Sequence, residues 1–398
     1  MKRILFTVIP EKGHINPVIG VAKHLQAKGH EIGFYAPYDI SKQLDSAGLN
    51  CFIGEFIQSQ SPESNRGEIF ASNVKDSDWL REWIKDILIE TVEPSMPSIQ
   101  KAVDLFKPDI VVTDPMLYSA AIVSKLNAIQ WVAISNSLNP VLNESIESDL
   151  LDTVRWITPL RSDLFEQYDM RLEFCGCDML SPDLNIAFTT NEFVGEPVRN
   201  VELVGPSIPK GSRGDECGFP WDRLSDEHPI IYMSLGSQIY HQPRMFNTIF
   251  DAVKDKPVQL VATVNELMNS SELNDIPSNV LLANYTPQLQ LLPKVSVMIT
   301  HGGANSVMEA IHFGVPMLIT PICNDQFHQA HYINENDIGV ELDLNNTTPE
   351  KCWEVLNKLL TSETIINNMA RVTKSYQQDG ALNAANLVNE FLTEEQPS

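Results

Sequence analysis

The sequence predicts an α/β protein of two domains, each a parallel β-sheet with helices packed on it. Three observations support that class. Short apolar runs alternate with helix-patterned segments at close spacing, the order that calls for parallel strands and crossover helices. The alternation stops at 206–228, PSIPKGSRGDECGFPWDRLSDEH, and then restarts. A chain of 398 residues suits two domains with substantial cores. The expected boundaries are a first domain at 1–205, a linker at 206–228, a second domain at 229–380, and a helix and tail at 381–398.

In the first half, residues 3–9 read as a strand and Pro10-Glu11-Lys12-Gly13-His14-Ile15 as a loop. Asn16-Pro17 suits the start of a helix to residue 28, which Gly29-His30 ends. A strand at 31–36, a short helix at 40–46 and a strand at 51–54 follow. Residues 58–76 are polar, without a clear period, and read as a loop. The long helical region at 79–104 is expected to break at Pro94 and Pro97. Residues 109–113 form a strand ending at Asp114-Pro115, then a helix at 117–126 and a strand at 130–135. From 137 to 200 the pattern is irregular and holds Trp156, Phe165, Tyr168 and Phe174.

The second half has strand runs at 230–235, 258–263, 280–284, 295–300, 316–321 and 339–342, with further helices at 349–360, 363–377 and 381–392. Its chemistry is concentrated in 285–326. Tyr285-Thr286-Pro287-Gln288 opens a turn, and Val295-Ser296-Val297-Met298-Ile299-Thr300 suits a buried parallel strand. His301-Gly302-Gly303 leads into a helix at 304–313, closed by Gly314. A strand, a glycine turn and a helix in that order present bare N–H groups to an anion. The helix dipole adds ~0.3–1 kcal/mol per charge near that end. Asn305, Ser306 and Glu309 share a face. A carboxylate one turn in from a phosphate can accept two hydrogen bonds from a ribose diol. Asp325 and Gln326 stand at the carboxyl end of the next strand, where they could read sugar hydroxyls. Two plainer readings stand beside these: Ser306-x-x-Glu309 also fits a capping box, and Asn324 or Asp325 can cap a helix.

Taken in order, these residues resemble the donor-sugar signature of the family 1 nucleotide-sugar glycosyltransferases, which include plant secondary-product enzymes and bacterial macrolide and carotenoid glycosyltransferases. The matching residues are Pro287-Gln288, the His301-Gly-Gly-x-Asn-Ser run with Gly303, Asn305 and Ser306, then Glu309 and Asp325-Gln326. Tyr285 stands where the family usually has Trp, and Ala304 where the plant type has a second Trp. The resemblance implies a GT-B fold, with two Rossmann-like domains facing an interdomain cleft and the last helix crossing back to the first domain. It also implies roles. His301 would donate to the diphosphate, Asn305 and Ser306 to the α-phosphate, and Glu309 would hold the ribose. Tyr285 would stack on the base, with Thr286 at its edge. Ser234-Leu235-Gly236-Ser237 resembles the family's phosphate turn, with Ser237 on the β-phosphate.

His14 follows the first strand and Asp114 ends a later strand of the same expected sheet. Strand ends of one parallel sheet converge on one crevice. An imidazole titrating near ~6.5 is a suitable base, and a carboxylate on its far nitrogen would fix the tautomer. Read alone, a Gly-His turn and an Asp-Pro turn are common surface features. The resemblance implies a catalytic base at His14, in its Gly-His-x-x-Pro context, and a partner at Asp114.

The formal net charge of −24 argues against nucleic acid or an anionic membrane as a general partner. The six cysteines are scattered and offer no zinc pattern. No apolar run approaches a membrane span of ~20 residues. The N-terminus lacks a signal peptide's apolar core, which points to the cytoplasm and reduced thiols. Asp76-Ser77-Asp78 reads better as a helix cap than as a metal motif, and His328-x-x-His331 shows no third ligand. Neither metal nor cofactor is expected, with a UDP-sugar as co-substrate. Phe56, Phe70, Trp79, Trp83 and Trp156 are candidates for an acceptor pocket, each with core packing as its plainer reading. The resulting expectation is an inverting, metal-independent transfer of a sugar, glucose first, from a UDP-sugar to a hydroxyl of a small lipophilic acceptor such as a polyketide, terpenoid, carotenoid or phenolic. The expected assembly is a monomer or weak dimer. The alternatives are a UDP-sugar epimerase and a non-catalytic UDP-sugar-binding partner protein. A nicotinamide dehydrogenase does not fit, because the first strand leads to Lys12-Gly13-His14-Ile15-Asn16-Pro17 and not to a Gly-x-Gly-x-x-Gly turn.

Overall fold

The computed structural model describes residues 1–49, 51–53, 69, 72–73, 76–142, 146, 148–197, 199–209, 218–236, 240–323 and 325–393. The chain divides into two compact units. Unit 1 comprises Met1–Pro62, Lys75–Gly214 and Gln378–Ser398; unit 2 comprises Glu63–Val74 and Asp215–Gln377.

The strands of unit 1 are β1 (Arg3–Thr7), β2 (Glu31–Tyr35), β3 (Ile110–Thr113), β4 (Trp131–Ser135), β5 (Phe174–Cys175), β6 (Asp178–Met179), β7 (Leu184–Ala187) and β8 (Glu202–Leu203). Six of them form one sheet in the order β2-β1-β3-β4-β7-β8, parallel throughout, while β5 and β6 form a small antiparallel hairpin. Ile4, Leu5, Phe6, Ile110, Val111 and Val112 are buried, the mark of strands covered on both faces. Chain order reverses at β1: β2 lies on one side and β3 on the other. That reversal opens a crevice at the carboxyl ends of β1 and β3. Side chains link the two strands there, Thr7 Oγ1 donating to Thr113 Oγ1 at 2.8 Å.

The helix after β1 is longer than expected. It spans Lys12–Ala27, so His14 lies in its first turn and Pro17 inside it. Ile15, Val18, Ile19, Val21, Ala22 and Leu25 form its buried face. The C-terminal helix Gly380–Thr393 packs on it so closely that a Cβ on Gly20 would lie 2.8 Å from Ala381 Cβ. Other expectations need correction. Only an isolated bridge between Phe34 and Phe52 replaces the strand at 51–54, whose last residue lies outside the described ones. The helical region 79–104 is interrupted not at its prolines but at a π-helical segment, Asp86–Glu90, between Ser77–Lys85 and Val92–Phe106. Pro94 is tolerated because first-turn N–H groups have no intrahelical acceptor. The supposedly irregular stretch holds an 18-residue helix, Asp149–Glu166, together with β5, β6 and β7. Pro159 inside that helix and its mixed polarity hide the period.

Unit 2 contains β9 (Ile230–Ser234), β10 (Gln259–Thr263), β11 (Val280–Ala283), β12 (Val295–Thr300), β13 (Met317–Ile319) and β14 (Gly339–Glu341). They form a parallel sheet in the order β11-β10-β9-β12-β13-β14. Its reversal falls between β9 and β12. The helix Pro243–Val253 covers one face with Phe246, Ile249 and Phe250, all fully buried against Leu260, Ala262, Val297 and Ile299. Phe250→Ala is expected to cost about 3–5 kcal/mol of stability. Among the described residues no helix is long and apolar enough to cross a membrane.

Candidate active site

In unit 1 the crevice between β1 and β3 brings His14 and Asp114 together. The helix start after β1 presents the imidazole, and the turn after β3 presents the carboxylate. His14 Nδ1 lies 2.5 Å from Asp114 Oδ2. The carboxylate is held in place on its other oxygen, Oδ1 accepting from the Met116 N–H at 3.0 Å. Asp114 is buried, while about a quarter of the His14 side chain (24%) reaches solvent. With Nδ1 on the carboxylate, Nε2 is the ring nitrogen left for an incoming hydroxyl. Burial disfavours the charged imidazole, but the charge and hydrogen bond of Asp114 outweigh it, and the ring is pushed up from 6.5 to about 9. The base is therefore cationic at neutral pH, unlike an unperturbed histidine. A third residue completes the corner. Asn136, just past β4, donates Nδ2 to the His14 carbonyl at 3.3 Å and to Asp114 Oδ2 at 3.4 Å. Sequence reasoning did not single out Asn136. The rule that strand ends converge, applied to β4 as it was to β3, would have found it.

Unit 2 presents a second histidine at its own reversal. His301 follows β12, and its ring is packed between two glycines. A Cβ on Gly236 would lie 2.8 Å from His301 Cε1, and one on Gly303 2.7 Å from Nε2. Gly236 also has φ +79, which disfavours any side chain. Burial lowers the ring to about 4 against a small opposing effect of the Ser234 main chain, so His301 is neutral at pH 7. The helix Ala304–His312 starts with Gly303 as N-cap, and a glycine brings no side chain over the first-turn N–H groups. Because the cap is Gly303, Ser306-x-x-Glu309 lies inside the helix and is not a capping box. Gln288 reaches across to this helix, Nε2 donating to Glu309 Oε2 at 2.6 Å and approaching Ser306 Oγ at 3.4 Å. Glu309 is buried.

The remaining candidates divide. The Thr286 hydroxyl is buried and bonded to Thr263 Oγ1 at 2.6 Å, while Tyr285 is half-buried. Asn305 lies in the first turn of the Ala304–His312 helix. The Gln326 side chain is committed to its own loop, Oε1 accepting from the Ile322 and Cys323 N–H groups at 2.8 and 3.1 Å. Asp325 precedes the helix Gln326–Glu335 without its side chain capping it. Ser237, Phe56 and Phe70 lie outside the described residues. Trp79 and Trp83 stack at 6.0 Å, and Trp156 is 38% exposed beneath Arg81. Asp76 caps the helix Ser77–Lys85, accepting from the Asp78 and Trp79 N–H groups. His328 is buried, and that burial, with the charge of nearby His331 adding to it, holds it down to about 4, while His331 lies 3.4 Å from Glu335. Among the described residues no group of three or more His, Cys, Asp or Glu is placed to hold a metal ion.

Two parallel-sheet units of this kind define the GT-B architecture, and the chain is a sugar-transferring enzyme of that class. The family model described as UDP-glucoronosyl and UDP-glucosyl transferase matches residues 218–382. The chain is 25% identical over 406 residues to the uncharacterized UDP-glucosyltransferase YojK of Bacillus subtilis, covering 97% of this chain and 94% of YojK. It is 24% identical to the demethyllactenocin mycarosyltransferase of Streptomyces fradiae, covering 96% and 84% of the two chains. It shares its fold with the solved glycosyltransferase of kitacinnamycin, with a TM-score of 0.79, 19% identity and coverage of 98% and 99%. Its relatives are thus the bacterial family 1 glycosyltransferases.

Proposed function

We propose that this protein moves a hexose from a UDP-sugar to a hydroxyl of a small lipophilic natural product, with inversion at the anomeric carbon and without a metal ion. The observation that carries the proposal is the His14–Asp114 hydrogen bond at the reversal of the unit 1 sheet. In the neutral form of the ring, whose share grows as pH approaches 9, His14 Nε2 takes the proton of the acceptor hydroxyl. The acceptor oxygen forms its bond to the anomeric carbon in one displacement as the bond to the diphosphate breaks. Asp114 stabilises the imidazolium. In unit 2 the neutral His301 ring and the N-terminus of the Ala304–His312 helix meet the charge developing on the departing UDP. Glu309, steadied by Gln288, accepts from the ribose diol, which favours UDP over a deoxyribose donor. Two relatives are named for different groups, glucosyl and mycarosyl, so glucose is the first donor to try and not the last.

The test is a UDP-release assay across UDP- and dTDP-sugars with a panel of hydroxylated lipophiles. Acceptor-dependent release, an inverted anomer by NMR and full activity in EDTA are the expected results. Conversion of UDP-sugar without an acceptor would identify an epimerase. Tight binding without turnover on any acceptor would identify a non-catalytic partner.

A further inference from the structure

We infer that Asp178 is a positioning residue for the His14–Asp114 pair, acting through the 135–139 turn; this rests on the proposed role of His14 as the base. Asp178 lies in the β5–β6 hairpin and is 1% exposed, so no substrate can touch it. Both of its oxygens are engaged by the segment that follows β4. Ser135 Oγ donates to Oδ2 at 2.5 Å, and Asn139 Nδ2 donates to Oδ1 at 2.8 Å. Between these two anchors stands Asn136, whose amide bridges the His14 carbonyl and Asp114 Oδ2. The carboxylate therefore fixes both ends of the short turn whose middle braces the base and its partner.

Asp178 also acts by charge. Burial pushes its carboxyl up to about 7, against the pull of the Ser135 and Asn139 hydrogen bonds, and it lies within electrostatic reach of Asp114 and His14. The other groups around it are Tyr118 and Arg161 on the helices Tyr118–Leu126 and Asp149–Glu166, and Cys175 and Cys177 in its own hairpin; Glu11 acts on His14 from the helix start. Where His14 titrates, near 9, Asp178 is ionised and helps hold the proton on the ring.

Asp178→Asn keeps the shape. Its amide can donate to Asn139 Oδ1, which has no hydrogen-bond partner here, so the turn stays anchored while the charge goes. Asp178→Ala removes both. The experiment measures kcat, the pH profile of kcat/KM for the acceptor, UDP affinity by calorimetry and Tm for these variants and for His14→Ala. Asp178→Ala is expected to lower kcat roughly tenfold or more with UDP affinity unchanged. Asp178→Asn should hold kcat within about threefold of the parent and move the upper pH midpoint down by roughly half a unit or more. The inference is overturned by an unmoved midpoint in Asp178→Asn, which is readable even if Asp178→Ala does not fold. It is equally overturned by kcat losses in both variants that merely follow the drop in Tm. Acceptor-dependent turnover surviving in His14→Ala would instead sink the parent reading, and this inference with it.

Discussion

The two units place a histidine at the same topological point and leave it in opposite charge states. His14 stands at the reversal of the first sheet and His301 at that of the second, each just after a buried strand. Both rings are desolvated. What differs is the neighbour. A carboxylate 2.5 Å away turns His14 into a cation with a value of about 9. His301 has glycines on its faces and nothing but main chain to oppose burial, and drops to about 4. Topology decides where a side chain goes, and its immediate contacts decide what it can do there. One ring can exchange a proton with an alcohol; the other stays neutral and offers one N–H donor and one acceptor nitrogen.

The largest expected effect separates these roles. His14→Ala should lower acceptor-dependent kcat by about 10²–10⁴-fold while UDP affinity, read by calorimetry, stays unchanged. His301→Ala should lower kcat by about 10²–10³-fold through the leaving group. Its remaining activity should keep the upper pH midpoint set by His14, whereas the His14 variant should lose that midpoint. If both substitutions altered the pH profile alike, the distinction between the two histidines would fail.

Asp114→Asn sharpens the comparison by making the first site more like the second. The parent's kcat/KM for the acceptor should rise with pH and level off above about 9, as the ring loses its proton. Without the carboxylate, burial is opposed only by the weaker charges of Glu11 and Asp178, so the midpoint should fall well below 9, with a lower plateau because the tautomer is no longer held. A smaller change, Gln288→Ala, removes a hydrogen bond to buried Glu309 and should raise donor KM roughly tenfold without moving the His14 midpoint.

The smallest effect is on stability. The folded value of His14 is above its unfolded 6.5, so its contribution is complete below about pH 6.5 and is lost as pH rises through about 9. For His301 the sign is reversed. Its folded value is about 4, so the unfolded chain takes up the proton first and stability falls as pH drops from 6.5 towards 4. The curve of Tm against pH should carry an alkaline loss from His14 and an acid loss from His301. His14→Ala should flatten the alkaline side and His301→Ala the acid side.

Several features could be read from residues alone. The runs at 230–235 and 295–300 are too apolar and too short for anything but buried strands, and β9 and β12 fall there. His301-Gly302-Gly303 announced a strand–turn–helix, because only small residues allow that close approach. Local pattern failed where a helix carries an interior proline. It hid Asp149–Glu166 behind Pro159 and delayed the start of the His14 helix to Pro17. In both helices a buried face compensates for the hydrogen bond that proline forfeits, and burial is not a local property.

The sequence by itself determined the two alternating α/β halves, the glycine turn and the identity of the residues at the strand ends, because periodicity and backbone sterics act over a few residues. Tertiary structure alone decided that residues one hundred positions apart, His14 and Asp114, share a proton, and that Gln288 leans on Glu309 and not on a loop of its own, as Gln326 does. It also decided which histidine is charged. Electrostatics and desolvation depend on distances in space, and those exist only once the strands have chosen their neighbours.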